Sequence, residues 1–366
     1  MAAGPTYWDY LRLDQLLELQ GGLEGHEDQL MPDELHFIVV HQVYELWFKL
    51  ILRELREARN HLAAPKVPED HIPYVVHHLR RVSEILKLAV QQWSVMETLT
   101  PQDFLAFRDK LSPASGFQSF QMRELEILLG TTEQARARYG DVEPVRHIME
   151  KAKGSRGGDL AVSRLEKVQR ELSLRGSLHD WLYRTPIQGS SPDTANDDEV
   201  VAAFLQDYLA AQDGQQESQM KRLLAHGIAT PEALQARFLD TRESSQRFLL
   251  AEDVDAAARQ KTRRVRAALL FIESYRNLPL LAWPRLLIDT VVEVEEQFVL
   301  WRHRHARMTE RTIGRRVGTG GSSGVDYLDR AAQGRIFPEL WAVRTLLLPA
   351  DFLPPLRNPQ FYGFAT

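Results

Sequence analysis

The sequence predicts an all-α protein built of long helices, and three observations carry that prediction. Apolar residues recur at three- and four-residue spacing along most of the chain, the period of one helix face. No stretch shows sustained period-2 alternation of β-branched residues, which a half-buried strand needs. Turn-forming clusters such as Ser112-Pro113-Ala114-Ser115-Gly116 interrupt the apolar runs where helices should stop.

Each element follows from its own residues. Residues 35–52 are mostly apolar; apart from His36 and His41, their polar positions are Gln42, Glu45 and Lys49, one narrow stripe. A helix apolar around most of its circumference is expected to be buried. Residues 73–98 set Val75, Leu79, Val82, Leu86, Ala89 and Trp93 on one face. Thr100 and Pro101 open the next helix as cap and first helical residue. Further helical patterns cover roughly 117–130, 160–173, 197–211, 255–276 and 284–313, with loops at 61–72, 153–159, 187–198 and 314–324. The stretch near 186–255 reads as helical but less regular. There is no internal repeat, and residues 1–366 read as a single domain.

Composition narrows the chemistry. The 366 residues contain no cysteine and 12 histidines. This excludes disulfides, thiolate nucleophiles, Cys-type zinc sites, Cys-ligated iron–sulfur clusters and thiolate-ligated haem. Any metal is left to histidine, carboxylate or tyrosine. A formal net charge of -5 argues against general nucleic-acid binding. The first residues lack the basic-then-apolar pattern of a signal peptide, and no stretch approaches the ~18 apolar residues of a membrane span. The chain reads as a soluble, cytoplasmic protein with no membrane partner.

The helix near 291–313 carries the most informative local pattern. Val291, Val294, Phe298, Trp301, His305, Met308 and Thr312 step by three and four along one stripe. His305 therefore stands where a hydrophobic residue belongs, while His303 points about 160° away, toward the solvated side. His305 is either a core histidine bonded to a carbonyl or an axial metal ligand. His41 lies at the edge of its helix's polar stripe, with Phe37 and Phe48 close to its direction. It is either an amphipathic edge residue or a polar group aimed into an aromatic pocket.

Two further features invite paired readings. The run Gly318-Thr319-Gly320-Gly321-Ser322-Ser323-Gly324 is either a flexible linker or a loop whose backbone N–H groups cradle an anion. No lysine follows it, so it is not a phosphate loop of the Gly-x-x-x-x-Gly-Lys type. Phe104 and Arg108 lie four apart on one helix face. Arg108 is either solvated or a guanidinium that forks onto a carboxylate beside an aromatic wall.

Together, Tyr7-Trp-Asp-Tyr10-Leu-Arg-Leu-Asp14, Phe37-Ile-Val-Val-His41-Gln-Val-Tyr-Glu-Leu-Trp-Phe-Lys49, Asp103-Phe-Leu-Ala-Phe-Arg108, Leu111-Ser-Pro-Ala-Ser-Gly-Phe-Gln-Ser119, Trp301-Arg-His-Arg-His305 and Gly318-Thr-Gly-Gly-Ser-Ser-Gly324 resemble the tryptophan 2,3-dioxygenase family. The matches run in order from residue 7 to about 328. The resemblance implies an all-α, homotetrameric enzyme with one haem b per subunit. Its reaction would insert both atoms of O2 across the indole C2–C3 bond of L-tryptophan, giving N-formylkynurenine and opening tryptophan catabolism.

It further implies His305 as the axial ligand of the haem iron, with Ser115 and Gly116 beside the cofactor. His41 would be the catalytic histidine that accepts the indole N–H. Arg108 would hold the substrate carboxylate, and Thr319 would contact the amino-acid head group. Phe37, Phe104, Leu111 and Tyr10 would wall the indole, with Tyr7 and Tyr10 arriving on a neighbouring subunit's exchanged N-terminal arm (residues 1–20). Two rivals stand beside this reading: a related haem enzyme that adds one oxygen to an indole or tryptophan derivative, and a haem carrier. A di-iron carboxylate bundle needs paired Glu-x-x-His motifs, which the sequence lacks.

Overall fold

The computed structural model describes residues 4–133, 136, 143–155, 157–228, 230–319 and 324–363. Helices dominate: α1 Tyr7–Leu11, α2 Leu13–Leu16, α3 Glu34–Ala63, α4 Ile72–Met96, α5 Pro101–Phe107, α6 Phe120–Leu129, α7 Pro144–Ala152 and α8 Gly158–Gln169 come first. They are followed by α9 Leu174–Arg184, α10 Asp197–Ala225, α11 Pro231–Leu249, α12 Ala256–Ser274, α13 Ala282–Ile313, α14 Val325–Gln333 and α15 Pro338–Leu346. Among the described residues there is no strand, only an isolated bridge between Ile187 and Ser190. The all-α expectation holds.

Two compact units are distinguishable. The first comprises Met1–Arg56, His78–Ser173 and Glu293–Ile336; the second comprises Glu57–His77, Leu174–Val292 and Phe337–Thr366. In the first, α13 presents the predicted stripe: Val294, Phe298, Trp301, Met308 and Thr312 are buried, and His303 is exposed. Thr100 caps α5 as expected, accepting from the Asp103 backbone N–H at 3.2 Å ahead of Pro101. α6, α7 and α8 close around Val145, Ile148 and Leu165.

The second unit packs α9, α10, α11 and α15 about α12, which is buried continuously from Arg264 to Glu273. Apolar side chains on every side of Ala267–Ile272 suit a central helix. Tyr208 is a hub here. Its hydroxyl donates to the Leu346 carbonyl at 3.1 Å and accepts from Leu348 N–H at 3.2 Å.

Three expectations need correction. The stretch read as less regular contains two long helices, α10 and α11. Their contact is partly polar, with Gln212 donating to Ser245 at 2.9 Å between two buried residues, so apolar spacing understates it. α3 is not buried around most of its circumference: Leu35, Val39, Leu46 and Leu50 are exposed, because none of the described residues covers that face. By length and composition α3 is also long and apolar enough to cross a membrane, the only such helix among the described residues.

Candidate active site

The first unit encloses a cavity of about 680 Å³, a size typical of sites for small ligands and cofactors. Helices α3 and α13 each contribute a histidine to it, His41 and His305. The helical period explains the convergence. On α13 it puts His305 on the buried stripe with Trp301 and Met308; on α3 it puts His41 one turn after Phe37.

His41 is held by its own helix. Its Nδ1 lies 2.7 Å from the Phe37 carbonyl oxygen. A carbonyl only accepts, so Nδ1 carries the proton and Nε2 keeps its lone pair. Burial pushes the His41 pKa below the ordinary histidine value, outweighing the Phe37 hydrogen bond. The ring is therefore a neutral acceptor. Around it, the Phe37 ring centroid lies 4.0 Å away, and Phe37 in turn stands 5.8 Å from Phe104 and 5.6 Å from Phe107.

His305 is fixed by aromatic contact. The Trp93 indole stacks on it at 4.7 Å with planes 3° apart, and Trp301 lies 5.3 Å away at 44°. Tyr44 backs Trp93 at 4.5 Å and donates to the Ala89 carbonyl at 2.9 Å. Burial, with smaller contributions from the neighbouring His41 and Arg123, pushes the His305 pKa down to about 3. A neutral imidazole is the form that ligates a metal. Among the described residues, no group of three or more His, Asp or Glu side chains could hold a metal unaided. His305 thus suits a metal that brings its remaining ligands with it.

The rest of the wall tests that fit. The indole N–H of Trp93 and the Nε–H of Arg123 are buried donors without acceptors. Both residues line the cavity. Buried donors normally have partners, so these point to an acceptor on whatever fills it. A Cβ built on Gly116 meets no atom within 4 Å, so that glycine leaves open space beside the cavity. These features fit a large, mainly apolar group with acceptor substituents, as a haem is.

Two loops form the cavity's other edge. Arg108, directly after α5, donates from a terminal nitrogen to the Val317 carbonyl, and its Nε is buried without a partner. Thr319 donates to the Ala114 carbonyl at 2.6 Å. Ser115 caps the short 3₁₀ turn Gly116–Gln118 through its side chain, which accepts from Phe117 N–H at 3.3 Å. Leu111 also borders the cavity. Gly320, Gly321, Ser322 and Ser323 lie outside the described residues.

The structure thus brings together Phe37, His41, Phe104, Arg108, Leu111, Ser115, Gly116, His305 and Thr319 at one cavity. It does not bring Tyr7 or Tyr10 to the cavity of their own chain; they are 70% and 81% exposed. Sequence reasoning missed a buried charge cluster on the same wall. Glu126 is paired with Arg123 at 2.8 Å and Arg302 at 2.7 Å, and Arg123 also donates to the Tyr327 hydroxyl at 3.3 Å. Burial alone would raise the Glu126 carboxyl, but the two guanidiniums hold it below its usual value. A signal was present in the sequence: Arg123 and Glu126 interrupt the apolar run Met122, Leu125, Leu128, Leu129 on α6.

The chain is also similar to known proteins. The sequence profile described as Tryptophan 2,3-dioxygenase matches residues 1–347. A protein of Ralstonia nicotianae named tryptophan 2,3-dioxygenase 2 is 46% identical, over 98% of both chains. Tryptophan 2,3-dioxygenase of Sorangium cellulosum is also 46% identical, over 98% of this chain and 87% of its own. That of Dictyostelium discoideum is 32% identical over 96% of this chain and 86% of its own.

Proposed function

The chain belongs to the tryptophan 2,3-dioxygenase family, and from that membership we propose how its own residues cleave the indole C2–C3 bond of L-tryptophan with O2. The observation that carries the proposal is the pair of neutral imidazoles, His41 and His305, brought to one apolar cavity from two helices.

His305 would hold haem b, one per subunit, by ligating its iron. The unpartnered donors of Trp93 and Arg123 support the fit, as does the space at Gly116. Ser115 and Gly116 lie beside the cofactor. When bound, ferrous haem supplies the binding and activation of O2.

The substrate's indole lies against Phe37, Phe104 and Leu111. His41 accepts the indole N–H through Nε2, because Phe37 keeps the proton on Nδ1. Its work is orientation: it fixes which edge of the electron-rich ring faces the reacting oxygen and removes no proton as a strong base. Arg108 binds the carboxylate of the amino acid, and Thr319 contacts its head group. Both side chains must leave their bonds to Val317 and Ala114, or share them, when substrate enters. An analogue without the carboxylate leaves a guanidinium unpaired, a loss that can reach a factor of about 10⁴.

The enzyme assembles as a homotetramer whose N-terminal arms exchange, so that Tyr7 and Tyr10 complete a neighbour's site. The high exposure of Tyr7, Trp8 and Tyr10 supports this. The lack of cysteine suits a reducing cytoplasm.

Product mass in ¹⁸O2 tests the reaction. Two labelled atoms in N-formylkynurenine are expected. One labelled atom would favour a single-oxygen transfer to indole and end the dioxygenase assignment.

A further inference from the structure

Lys110 stands two residues after Arg108 in the 3₁₀ turn Arg108–Leu111. At three residues per turn the two side chains diverge by about 120°. Arg108 borders the cavity; Lys110 faces away from it, onto the N-terminal segment. There its ammonium lies 2.7 Å from Glu24 Oε1 and 2.7 Å from Glu34 Oε2.

Both carboxylates are held in place. Glu34, in the first turn of α3, is 3% exposed, and its Oε2 also accepts from Met31 N–H at 2.9 Å. Glu24 sits in a hook that depends on glycine. Gly25 N–H donates to the Gly21 carbonyl at 2.8 Å, and Gly22 and Gly25 have φ of +61° and +85°. A Cβ on Gly21 would lie 2.3 Å from the Gly25 carbonyl carbon. Gln42 of α3 ties down the approach to the hook, donating to the Leu19 carbonyl at 2.8 Å and accepting from Gln20 at 2.7 Å.

Three glycines sacrifice chain entropy to shape that hook, and the carboxylate it presents meets an ammonium. A lone exposed ion pair contributes little. Lys110 differs in having two carboxylate partners, one of them buried, where salt screens less. The two carboxylates also raise the Lys110 pKa, so the ammonium stays charged.

We propose that Lys110 is a positioning residue for substrate recognition: clamped between Glu24 and Glu34, it fixes the turn that presents Arg108 to the cavity. This rests on the reading that Arg108 holds the substrate carboxylate.

The test compares ligand affinity in the holoenzyme for L-tryptophan, indole-3-propionate (carboxylate, no amine) and tryptamine (amine, no carboxylate). Lys110→Met is expected to weaken the two carboxylate ligands by about tenfold, one charge-assisted hydrogen bond displaced, while tryptamine changes by less than about twofold. Haem content stays full, and Lys110→Arg restores most of the loss. Should Lys110→Met not fold, Glu24→Gln, which leaves the Glu34 contact, is expected to give about a threefold loss with the same ligand selectivity.

Arg108→Ala is the reference. If it shows the carboxylate-selective loss and the Lys110 and Glu24 variants do not, or weaken all three ligands alike, the positioning role is overturned. If Arg108→Ala itself shows no selectivity, the reading of Arg108 fails first and takes that of Lys110 with it.

Discussion

The imidazole of His305 lies flat on the indole of Trp93, with centroids 4.7 Å apart and planes 3° from parallel. The two residues come from α13 and α4, and Trp93 is 2% exposed. Stacking limits rotation of the imidazole about its side-chain bonds, so the direction of its ring nitrogens is set before any metal arrives.

Replacing Trp93 therefore has separable effects. Trp93→Ala leaves a void in a packed core and is expected to cost about 3–5 kcal/mol of stability. It should also lower haem stoichiometry. Trp93→Phe keeps an aromatic plane and should retain most of the haem. Denaturant titration beside a haem assay checks both; full haem in a destabilised Trp93→Ala protein would show that the stack does not orient the ligand.

Gly116 gives the opposite pattern. No atom lies within 4 Å of a Cβ at this position, and its φ is outside the left-handed region. Gly116→Ala should leave stability unchanged within about 0.5 kcal/mol, or raise it slightly. Gly116 borders the cavity, so the added methyl is expected to lower haem or L-tryptophan affinity by at least about fivefold. Thermal denaturation and ligand titration measure the two separately, and unchanged affinity would mean the cavity has room to spare.

The histidine pKa directions predict a pH dependence for the haem-free chain. Burial lowers His41, and burial lowers His305 to about 3, whereas both titrate near 6.5 when unfolded. As pH falls below 6.5 the unfolded chain gains protons that the folded chain does not, so stability must drop. For His305 the slope approaches about 1.4 kcal/mol per pH unit, and His41 adds to it in the same direction. Urea midpoints between pH 6.5 and 5 should fall more steeply for the wild type than for His305→Ala. Equal slopes would mean that His305 is charged in the folded state.

Much of this was legible in the sequence, for identifiable reasons. The α13 stripe is long, regular and apolar apart from His305 and Thr312, so His305 stood out, and the structure brings it to the cavity. Thr100 and Pro101 mark a helix start by local chemistry alone. The charge cluster of Arg123, Glu126 and Arg302 was missed because charged helical residues are usually solvated, and only the fold sets α6 beside α13 at Glu126 and Arg302. α10 and α11 were underrated because Gln212 and Ser245 meet where apolar residues would announce contact. The exposed side of α3 was misjudged for the reverse reason: Leu46 and Leu50 are apolar yet uncovered by the described residues.

The most direct measurement is haem stoichiometry, from the Soret band of purified protein, in wild type, His305→Ala and His303→Ala. His303 lies two residues away on the exposed face of the same helix and controls for the loss of any histidine. The expected result is one haem per chain in wild type and His303→Ala, and none retained in His305→Ala. Full haem in His305→Ala would contradict the assignment of this cavity as a histidine-ligated haem site.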